Sequence, residues 1–216
     1  MGCAGAMPGL QRAYDFVKAY PEKKALLVAV EICSACYYVD DSLETVVGNA
    51  ICADGAAAVV VGMSEDPGIP KIVGFETHLE PSYIHTVGFE QREGKLRIVL
   101  SKDIRDVAGG LAKILIEKLL FSYHHTKEDI SHWILHSGGR KVIDSVQREM
   151  LLTDEQVTPS KCILRNFGNM SSPTVLFVLE ETMSGRNGTA APKAGDTGVM
   201  LAMGPGLAIE GALLKW

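Results

Sequence analysis

The sequence predicts a layered α/β fold, in which helices pack against sheets. Apolar residues make up 47% of the chain and aromatic residues only 6%, a mixture typical of closely packed helix and sheet layers. Residues 24–32 and 55–62 are continuous apolar runs of strand length, as expected for strands that are covered on both faces. Residues 103–123 have the periodicity of an amphipathic helix, with an apolar stripe that consists of Ile104, Val107, Leu111, Ile114, Leu115 and Leu119. At 216 residues the chain is long enough to bury a core.

The other elements follow from periodicity and turn residues, in chain order. A helix is predicted over residues 8–20, ahead of the two apolar strands. Residues 64–70 are rich in turn formers and mark the best boundary, so we expect one unit over 1–66 and a second over 67–216. The second unit is predicted to contain strands at 71–79 and 95–101, the helix at 103–123, a strand at 131–135, a helix at 140–151, a strand at 161–165, a helix at 171–183, and strands at 197–203 and 207–214.

Charge and hydropathy exclude several classes of function. The formal net charge is −5 and no basic stripe carries interleaved aromatics, so we expect no nucleic-acid partner. No apolar run reaches the ~18 residues of a membrane span. Residues 1–20 lack the basic and apolar regions of a secretory signal. We therefore expect a cytoplasmic protein.

The five cysteines are odd in number, which favours a reduced, intracellular chain over a disulfide framework; they are Cys3, Cys33, Cys36, Cys52 and Cys162. Cys33 and Cys36 fit a C-x-x-C pattern, but no second pair exists. Packing at a pocket or in the core is therefore the better interpretation than a zinc or redox site, and we expect no bound metal.

Three residues carry the chemistry that the sequence offers: Cys3 in GCAGA, His136 in ILHSGG and Asn169 in GNMSS. A thiol near a helix start and beside an imidazole has a lowered pKa and is a good nucleophile. An imidazole and a carboxamide stabilise negative charge that develops on a carbonyl oxygen. Taken alone, each has a simpler explanation: Cys3 as a buried structural cysteine and Asn169 as a helix cap.

Six blocks of the sequence together resemble the type III polyketide synthases, the chalcone-synthase-like members of the thiolase superfamily. In order they are GCAGA, VEICSA, VVGNAICADGAAAVVVG, ILHSGGRKVIDSV, FGNMSSPTVLFVLEE and MGPGLAIEG. The resemblance implies a thiolase-like αβαβα layered fold, of which this chain holds the end of the first half and all of the second half. It also implies a homodimer and a further N-terminal half, and we expect the chain alone to be inactive and the two apolar strands to expose apolar faces.

The resemblance implies an acyltransferase that condenses malonyl-CoA onto an acyl-CoA starter and gives a cyclised polyketide. Cys3 would hold the acyl chain, and His136 and Asn169 would hold the malonyl thioester as CO2 leaves. Coenzyme A thioesters are then substrates, and no cofactor is expected. The implied substrate-binding residues are Cys33, Cys36, Cys52, Gly138, Gly139, Lys141, Ser171, Met203, Gly204, Pro205 and Gly206.

Two alternatives use the same residues differently. A β-ketoacyl-ACP synthase III-like enzyme also pairs Cys, His and Asn, but there the His is typically followed by Gln-Ala-Asn, whereas His136 is followed by Ser-Gly-Gly. A non-catalytic thiolase-fold fragment, which serves as a structural partner, would not need the intact trio. The starter unit, the number of extensions and the mode of cyclisation are not determined by the sequence.

Overall fold

The computed structural model describes residues 1–216 and contains eight strands and six helices. The helices are α1 (Ala6–Ala19), α2 (Leu43–Ile51), α3 (Ile104–Ser122), α4 (Arg140–Glu149), α5 (Asp154–Phe167) and α6 (Pro173–Ser184). The strands are β1 (Ala25–Glu31), β2 (Gly55–Val61), β3 (Lys71–Leu79), β4 (Val87–Arg92), β5 (Lys95–Leu100), β6 (His132–Leu135), β7 (Thr197–Gly204) and β8 (Ala208–Lys215). None of the helices is both long and apolar enough to cross a membrane.

The central sheet has the order β3-β8-β7-β6, and β6 runs parallel to β7 while the other pairs are antiparallel. One face of this sheet packs against α3 and α4 through a core that includes Leu115, Trp133 and Leu213. The other face packs against α1 and α6 through Met7 and Met200, among others. Both faces are therefore buried, which explains why β7 and β8 are apolar along almost their whole length.

The β1-β2 hairpin lies beyond α1 and α6 and forms a separate two-stranded antiparallel sheet. Its inner side chains join the α1 and α6 core, with Ala29 buried. Its outer face is open: Leu26, Val28 and Val30 are 65%, 54% and 59% exposed. The prediction that both apolar strands are covered on two faces is thus wrong for this chain, whereas the exposed apolar faces expected from the resemblance are confirmed. The layers run helix, sheet, helix, sheet, which is four of the five layers of the expected αβαβα arrangement.

Four sequence-based expectations need correction. Residues 161–165 were predicted as a strand but lie inside α5, whose start is capped by a reciprocal pair of hydrogen bonds between Thr153 and Gln156. Helix α2 and strand β4 were not predicted. On α3, Ile114 was placed on the buried stripe but is 48% exposed, because its neighbour Leu115 takes the core-facing position.

Candidate active site

Cys3 lies in a short 3-10 turn, Gly2–Ala4, that leads directly into α1. Its Sγ is 3.9 Å from Asn169 Oδ1 and 3.8 Å from Asn169 Nδ2. Two residues that are 166 positions apart in the sequence therefore meet, as an acyl-transfer centre requires.

The backbone of Asn169 is held firmly against the segment that follows α2. Its N–H donates to the Ile51 carbonyl at 2.8 Å, and its carbonyl accepts from the Ala53 N–H at 2.9 Å. The side-chain Oδ1 accepts the Ser171 N–H at 2.9 Å, which fixes the orientation of the carboxamide. Helix α6 begins later, with Ser172 as its N-cap and no side-chain capping bond. Asn169 is thus not the cap of α6, and its amide group faces the sulfur.

His136 sits where β6 ends, and its position is set by three hydrogen bonds. The backbone N–H of His136 donates to the backbone carbonyl of Leu201 on β7 at 2.8 Å. On either side, Ser160 Oγ donates to Leu135 O at 2.8 Å and Ser137 Oγ donates to Ser160 O at 2.7 Å. These bonds join the end of β6 to α5. Sequence reasoning missed Ser160, because it interpreted the residues that follow it, 161–165, as a strand.

The imidazole of His136 is 7% exposed, and neither Nδ1 nor Nε2 has a hydrogen-bond partner. A Cβ built on Gly138 would lie 3.5 Å from Nε2, so this glycine flanks the ring. Gly138 also accepts a hydrogen bond from Asn169 Nδ2 at 3.4 Å. The histidine and the asparagine therefore border the same glycine. Two buried ring nitrogens without hydrogen-bond partners lower the stability of the fold, and a bound ligand would supply those partners.

The protonation states differ from the expectation of a reactive thiolate. Burial raises the pKa of the Cys3 thiol and the charge of Glu31 raises it further, although hydrogen bonds from Ser171 and Asn169 oppose them. Burial also lowers the pKa of His136 to about 4. The resting pair is thus a neutral thiol and a neutral imidazole at pH 7, and the predicted lowering of the Cys3 pKa is wrong. Desolvation outweighs the local hydrogen bonds because it penalises both charged forms.

The glycine-proline loop packs directly on the turn that carries Cys3. Gly2 has φ +46°, and a Cβ there would come within 2.7 Å of Pro205. A Cβ on Gly204 would lie 2.9 Å from the Ala4 Cβ and would also meet the Met1 carbonyl. Only glycine allows this approach. Gly206 has φ +74° and turns the chain back into β8.

Three further cysteines surround the same centre. Cys33 and Cys36 form a 3-10 turn immediately after β1, and Cys52 pairs with Asn169 in an isolated parallel bridge. Burial raises the pKa of Cys33 to about 12 and that of Cys52 to about 11, and electrostatic coupling to the Cys3 thiol adds to both shifts. Cys33 and Cys52 are therefore neighbours of Cys3, and Cys36 lies near Cys52.

Three residues at the site were not predicted. Ser172 Oγ donates to Glu31 Oε1 at 2.6 Å, which brings a carboxylate next to the centre. The signal for Glu31 was the one acidic residue inside the apolar run at residues 24–32. Phe89 on β4 approaches Gly2, with its ring 3.6 Å from where a Cβ would lie. It was missed because β4 itself was not predicted.

The remaining predicted residues lie around or outside the centre. Met203 and His136 line a small cavity of about 20 Å³, roughly the space for one water. Gly139 precedes α4, and Lys141 is exposed in the first turn of that helix. A cavity of about 750 Å³ lies between α1, β2 and α6 and is lined by none of the three proposed catalytic residues.

Sequence comparisons identify related families over the whole chain. The sequence model described as "Chalcone and stilbene synthases, C-terminal domain" matches residues 81–216, which is more than half of the chain. The one described as "3-Oxoacyl-[acyl-carrier-protein (ACP)] synthase III" matches residues 1–80. Curated relatives include a 3,5-dihydroxyphenylacetyl-CoA synthase of Amycolatopsis balhimycina, 33% identical over 220 residues. A 1,3,6,8-tetrahydroxynaphthalene synthase of Streptomyces peucetius subsp. caesius is 34% identical.

Solved structures agree with the sequence comparisons. The chain superposes on PKS-I from the brown alga Ectocarpus siliculosus with a TM-score of 0.91 and 32% identity, and on 1,3,6,8-tetrahydroxynaphthalene synthase from Streptomyces coelicolor with a TM-score of 0.91 and 27% identity. In both cases the whole chain is covered, but only 58% and 61% of the larger structure. The two curated relatives are matched over 58% and 57% of their lengths. The predicted thiolase-like α/β fold is thus confirmed.

Proposed function

The chain belongs to the chalcone and stilbene synthase family, and we propose that it carries the acyl-transfer centre of a type III polyketide synthase. The observation that carries the proposal is the convergence of Cys3, Asn169 and the Gly138–His136 turn. The three functional groups come from three separate parts of the chain. If His136 had only a structural role, we would expect its two buried ring nitrogens to have hydrogen-bond partners, which they lack.

In the first step, Cys3 takes the acyl group from an acyl-CoA starter. The proton of the thiol passes to the neutral imidazole of His136, and the thiolate attacks the thioester carbonyl. Coenzyme A leaves as a thiolate and recovers that proton. Because the resting thiol is neutral, deprotonation accompanies substrate binding rather than preceding it.

In the second step, His136 and Asn169 donate hydrogen bonds to the thioester oxygen of malonyl-CoA. Loss of CO2 leaves an enolate, whose carbon attacks the acyl carbon on Cys3 and releases the Cys3 thiolate. A neutral imidazole with one free N–H is suited to this task, because it donates without needing a positive charge. Repeated extension and ring closure give a cyclised polyketide.

The loop and the cysteine cluster form the proposed substrate-binding region. Gly204, Pro205 and Gly206 press on the nucleophile turn, while Cys33, Cys36 and Cys52 supply small side chains around it. Met203 and Ser171 complete this wall, since Met203 shares a cavity with His136 and the Ser171 N–H donates to Asn169 Oδ1 at 2.9 Å. Gly139 gives access beside the imidazole.

Finer aspects of the assignment belong to the same proposal. We propose a division into units 1–66 and 67–216, which is supported because the β1-β2 sheet and the central sheet each draw strands from one side of that boundary. We also propose a homodimer in the cytoplasm, which uses coenzyme A thioesters and no separate cofactor. Five free cysteines support a reducing compartment, and the open apolar face of β1 supports a further protein contact.

Mass spectrometry after incubation with an acyl-CoA tests the proposal. We expect one acyl adduct that maps to Cys3, disappears in Cys3→Ser and persists in Cys162→Ser, a matched cysteine variant on α5. Adducts spread equally over several cysteines, or no adduct with acyl-CoA and with a short N-acetylcysteamine thioester alike, would overturn it. The second of these results would instead favour a non-catalytic structural partner.

A second candidate function is that of a β-ketoacyl-ACP synthase III-like enzyme, which is favoured by the family match over residues 1–80. The two candidates differ in the carrier of the malonyl group. Release of CO2 from malonyl-ACP in preference to malonyl-CoA would support this second candidate, and the reverse preference would support polyketide synthesis.

A further inference from the structure

Arg97, on β5, carries a nearly buried guanidinium that joins two separate elements. Its side chain is 11% exposed. Its Nη1 donates to Glu90 Oε1 at 2.8 Å, at the facing position of β4. Its Nε and Nη2 donate to Thr45 Oγ1 at 3.0 and 2.8 Å, and Nη2 also donates to Ser42 Oγ at 3.0 Å. One side chain therefore joins the β4-β5 hairpin to the start of α2, whose N-cap is Ser42.

Two carboxylates accompany this guanidinium. Glu90 is one, and Asp40 is the other, with its Oδ2 3.5 Å from Nη2 of Arg97. The Asp40 Oδ1 accepts hydrogen bonds from the N–H and the Oγ of Ser42 at 2.9 and 2.6 Å. Hydrogen bonds from Ser42 and Thr45, together with the charge of Arg97, lower the pKa of Asp40 to about 2. The protein itself therefore uses the donors of Arg97, so this residue joins elements rather than binds a ligand.

Helix α2 depends on these bonds because little apolar packing holds it. Only Thr45 and Gly48 of its nine residues are buried, whereas Leu43 and Val46 are 77% and 55% exposed. Thr45 has the only buried side chain of the helix, and this is the side chain that accepts two hydrogen bonds from Arg97. Polar bonds therefore fix the start of α2.

The β4-β5 hairpin is anchored in the same way. No residue of either strand is buried, and only the base of the hairpin packs on the core, through Val87 and Leu100. Near its tip, Tyr38 Oη donates to Glu93 Oε2 at 3.2 Å. The hairpin is therefore held against the segment around α2 by polar contacts, among which Arg97 makes the shortest.

Both of the elements that Arg97 joins border the reacting centre. Beyond the end of α2, the chain holds the backbone of Asn169 through two hydrogen bonds of 2.8 and 2.9 Å, and Asn169 Nδ2 is 3.8 Å from Cys3 Sγ. On β4, the ring of Phe89 lies 3.6 Å from where a Cβ on Gly2 would be, in the turn that carries Cys3. A shift of the hairpin relative to α2 would therefore move one side of the centre relative to the other.

We propose that Arg97 is a positioning residue, which locks the β4-β5 hairpin onto the start of α2 and thereby sets the geometry of Asn169 and Phe89 around Cys3. This inference rests on the proposed function. None of the hydrogen bonds or ion pairs of Arg97 involves the proposed catalytic trio, so it acts through the elements that carry these groups. An arginine suits this task because its planar guanidinium donates in several fixed directions.

Acylation of Cys3 by an N-acetylcysteamine thioester, followed by mass spectrometry on the 216-residue chain, tests the proposal. We expect Arg97→Met to lower the maximal rate constant of acylation by about tenfold, because a small misplacement of reacting groups slows the reaction strongly. The half-saturating thioester concentration should stay the same. Arg97→Lys keeps the charge but not the fixed donor directions, and should restore only part of the rate. Arg186→Met removes an arginine that pairs with Glu180 and Glu181 on α6; as the matched control, it should leave the rate constant unchanged.

Amide hydrogen exchange, resolved by residue with NMR, measures the link without the reaction. In Arg97→Met, the amides of Asn169 and Ala53, which bond across the end of α2, and those of β4 and β5 should exchange about tenfold faster, because charge-assisted hydrogen bonds that hold both elements are lost. The amides of β7 and β8 should keep their wild-type exchange. Thr45→Val should add little to the effect of Arg97→Met, since both changes remove the same bonds.

The proposal is wrong if Arg97→Met is acylated at the wild-type rate, or if its faster exchange is spread evenly over the whole chain, which is the signature of a general loss of stability. Full recovery by Arg97→Lys would also overturn it, because the fixed directions of the guanidinium would then be irrelevant. Circular dichroism shows which variants are folded. If Arg97→Met is not, Thr45→Val, which keeps every charge, decides the result by the same two measurements.

Failure of this inference is distinguishable from failure of the proposed function. If wild-type Cys3 is acylated and Arg97→Met changes neither the rate nor the exchange, the positioning role alone is refuted. If Cys3 is never acylated although the exchange of Asn169 depends on Arg97, the link between the hairpin and α2 stands and the reaction does not.

Discussion

Acidification from pH 7 to pH 4 should destabilise the fold through one residue, His136. Its side chain is buried, and both ring nitrogens lack partners. Burial lowers its pKa from 6.5 to about 4. Between these two values the unfolded chain binds a proton that the folded chain does not bind. The stabilisation is therefore fully present above pH 6.5 and is lost as the pH falls to 4.

The size of the effect follows from the shift. A difference of about 2.5 pK units, at about 1.4 kcal/mol per unit, gives about 3 kcal/mol of unfolding free energy. The unfolding free energy of a whole domain is typically about 5–15 kcal/mol, so the effect is a substantial part of the total. It should appear as a marked fall in the urea midpoint below pH 6.

Urea unfolding at pH 7, 6, 5 and 4 measures this effect when wild type is compared with His136→Gln. The variant has no titratable group at this position, so its own loss of stability cancels when only the pH dependence is compared. The difference between the two curves should change by about 3 kcal/mol between pH 6.5 and pH 4. A change below about 1 kcal/mol, or an imidazole that titrates near 6.5 by NMR, would refute the reasoning.

Three further predictions concern the thiol, the α3–α4 contact and the end of β6. Iodoacetamide should modify Cys3 slowly at pH 7 and faster above pH 9, as followed by peptide mass spectrometry, because burial raises its thiol pKa. In thermal unfolding, Gly109→Ala should lower stability by about 1–3 kcal/mol because its Cβ meets the Ser145 carbonyl, whereas Gly110→Ala, with open space, should raise it by up to about 1 kcal/mol. Ser160→Ala should cost about 1–3 kcal/mol in urea unfolding, because a buried carbonyl at the end of β6 loses its donor.

Each of these has a contradicting result. Rapid labelling of Cys3 at pH 7 would mean that the thiolate is already populated in the resting protein. Equal effects of the two adjacent glycine substitutions would mean that α3 and α4 are not in backbone contact. An unchanged urea midpoint for Ser160→Ala would mean that its hydroxyl does not support the end of β6.

The elements with a strong apolar periodicity could be predicted from the sequence, whereas those that depend on pairing with another segment could not. Helix α3 and the strands β7 and β8 lie within a few residues of their predicted bounds, since burial on one or both faces leaves a clear apolar pattern. Residues 161–165 were interpreted as a strand but belong to α5, which contains Pro159 in its interior, where proline is unusual in a helix. Strand β4 is polar and mostly exposed, and it exists through its pairing with β5.

The candidate site shows the same division. The types and order of Cys3, His136 and Asn169 were evident in the sequence, and so was the glycine-proline loop. The presence of Glu31 and Phe89 beside the centre was not evident in the sequence, because β1 and β4 reach the centre only through the packing of separate sheets.

The sequence alone determined which chemical groups this protein has and in what order, because side-chain type and the spacing of small residues are local properties. The tertiary structure alone decided how those groups are charged. The Cys3 thiol and the His136 imidazole are both neutral because each is buried, and desolvation depends on every neighbour that folding brings close. The backbone contact between α3 and α4 was likewise decided only by folding, since Gly109 and Ser145 lie far apart along the chain.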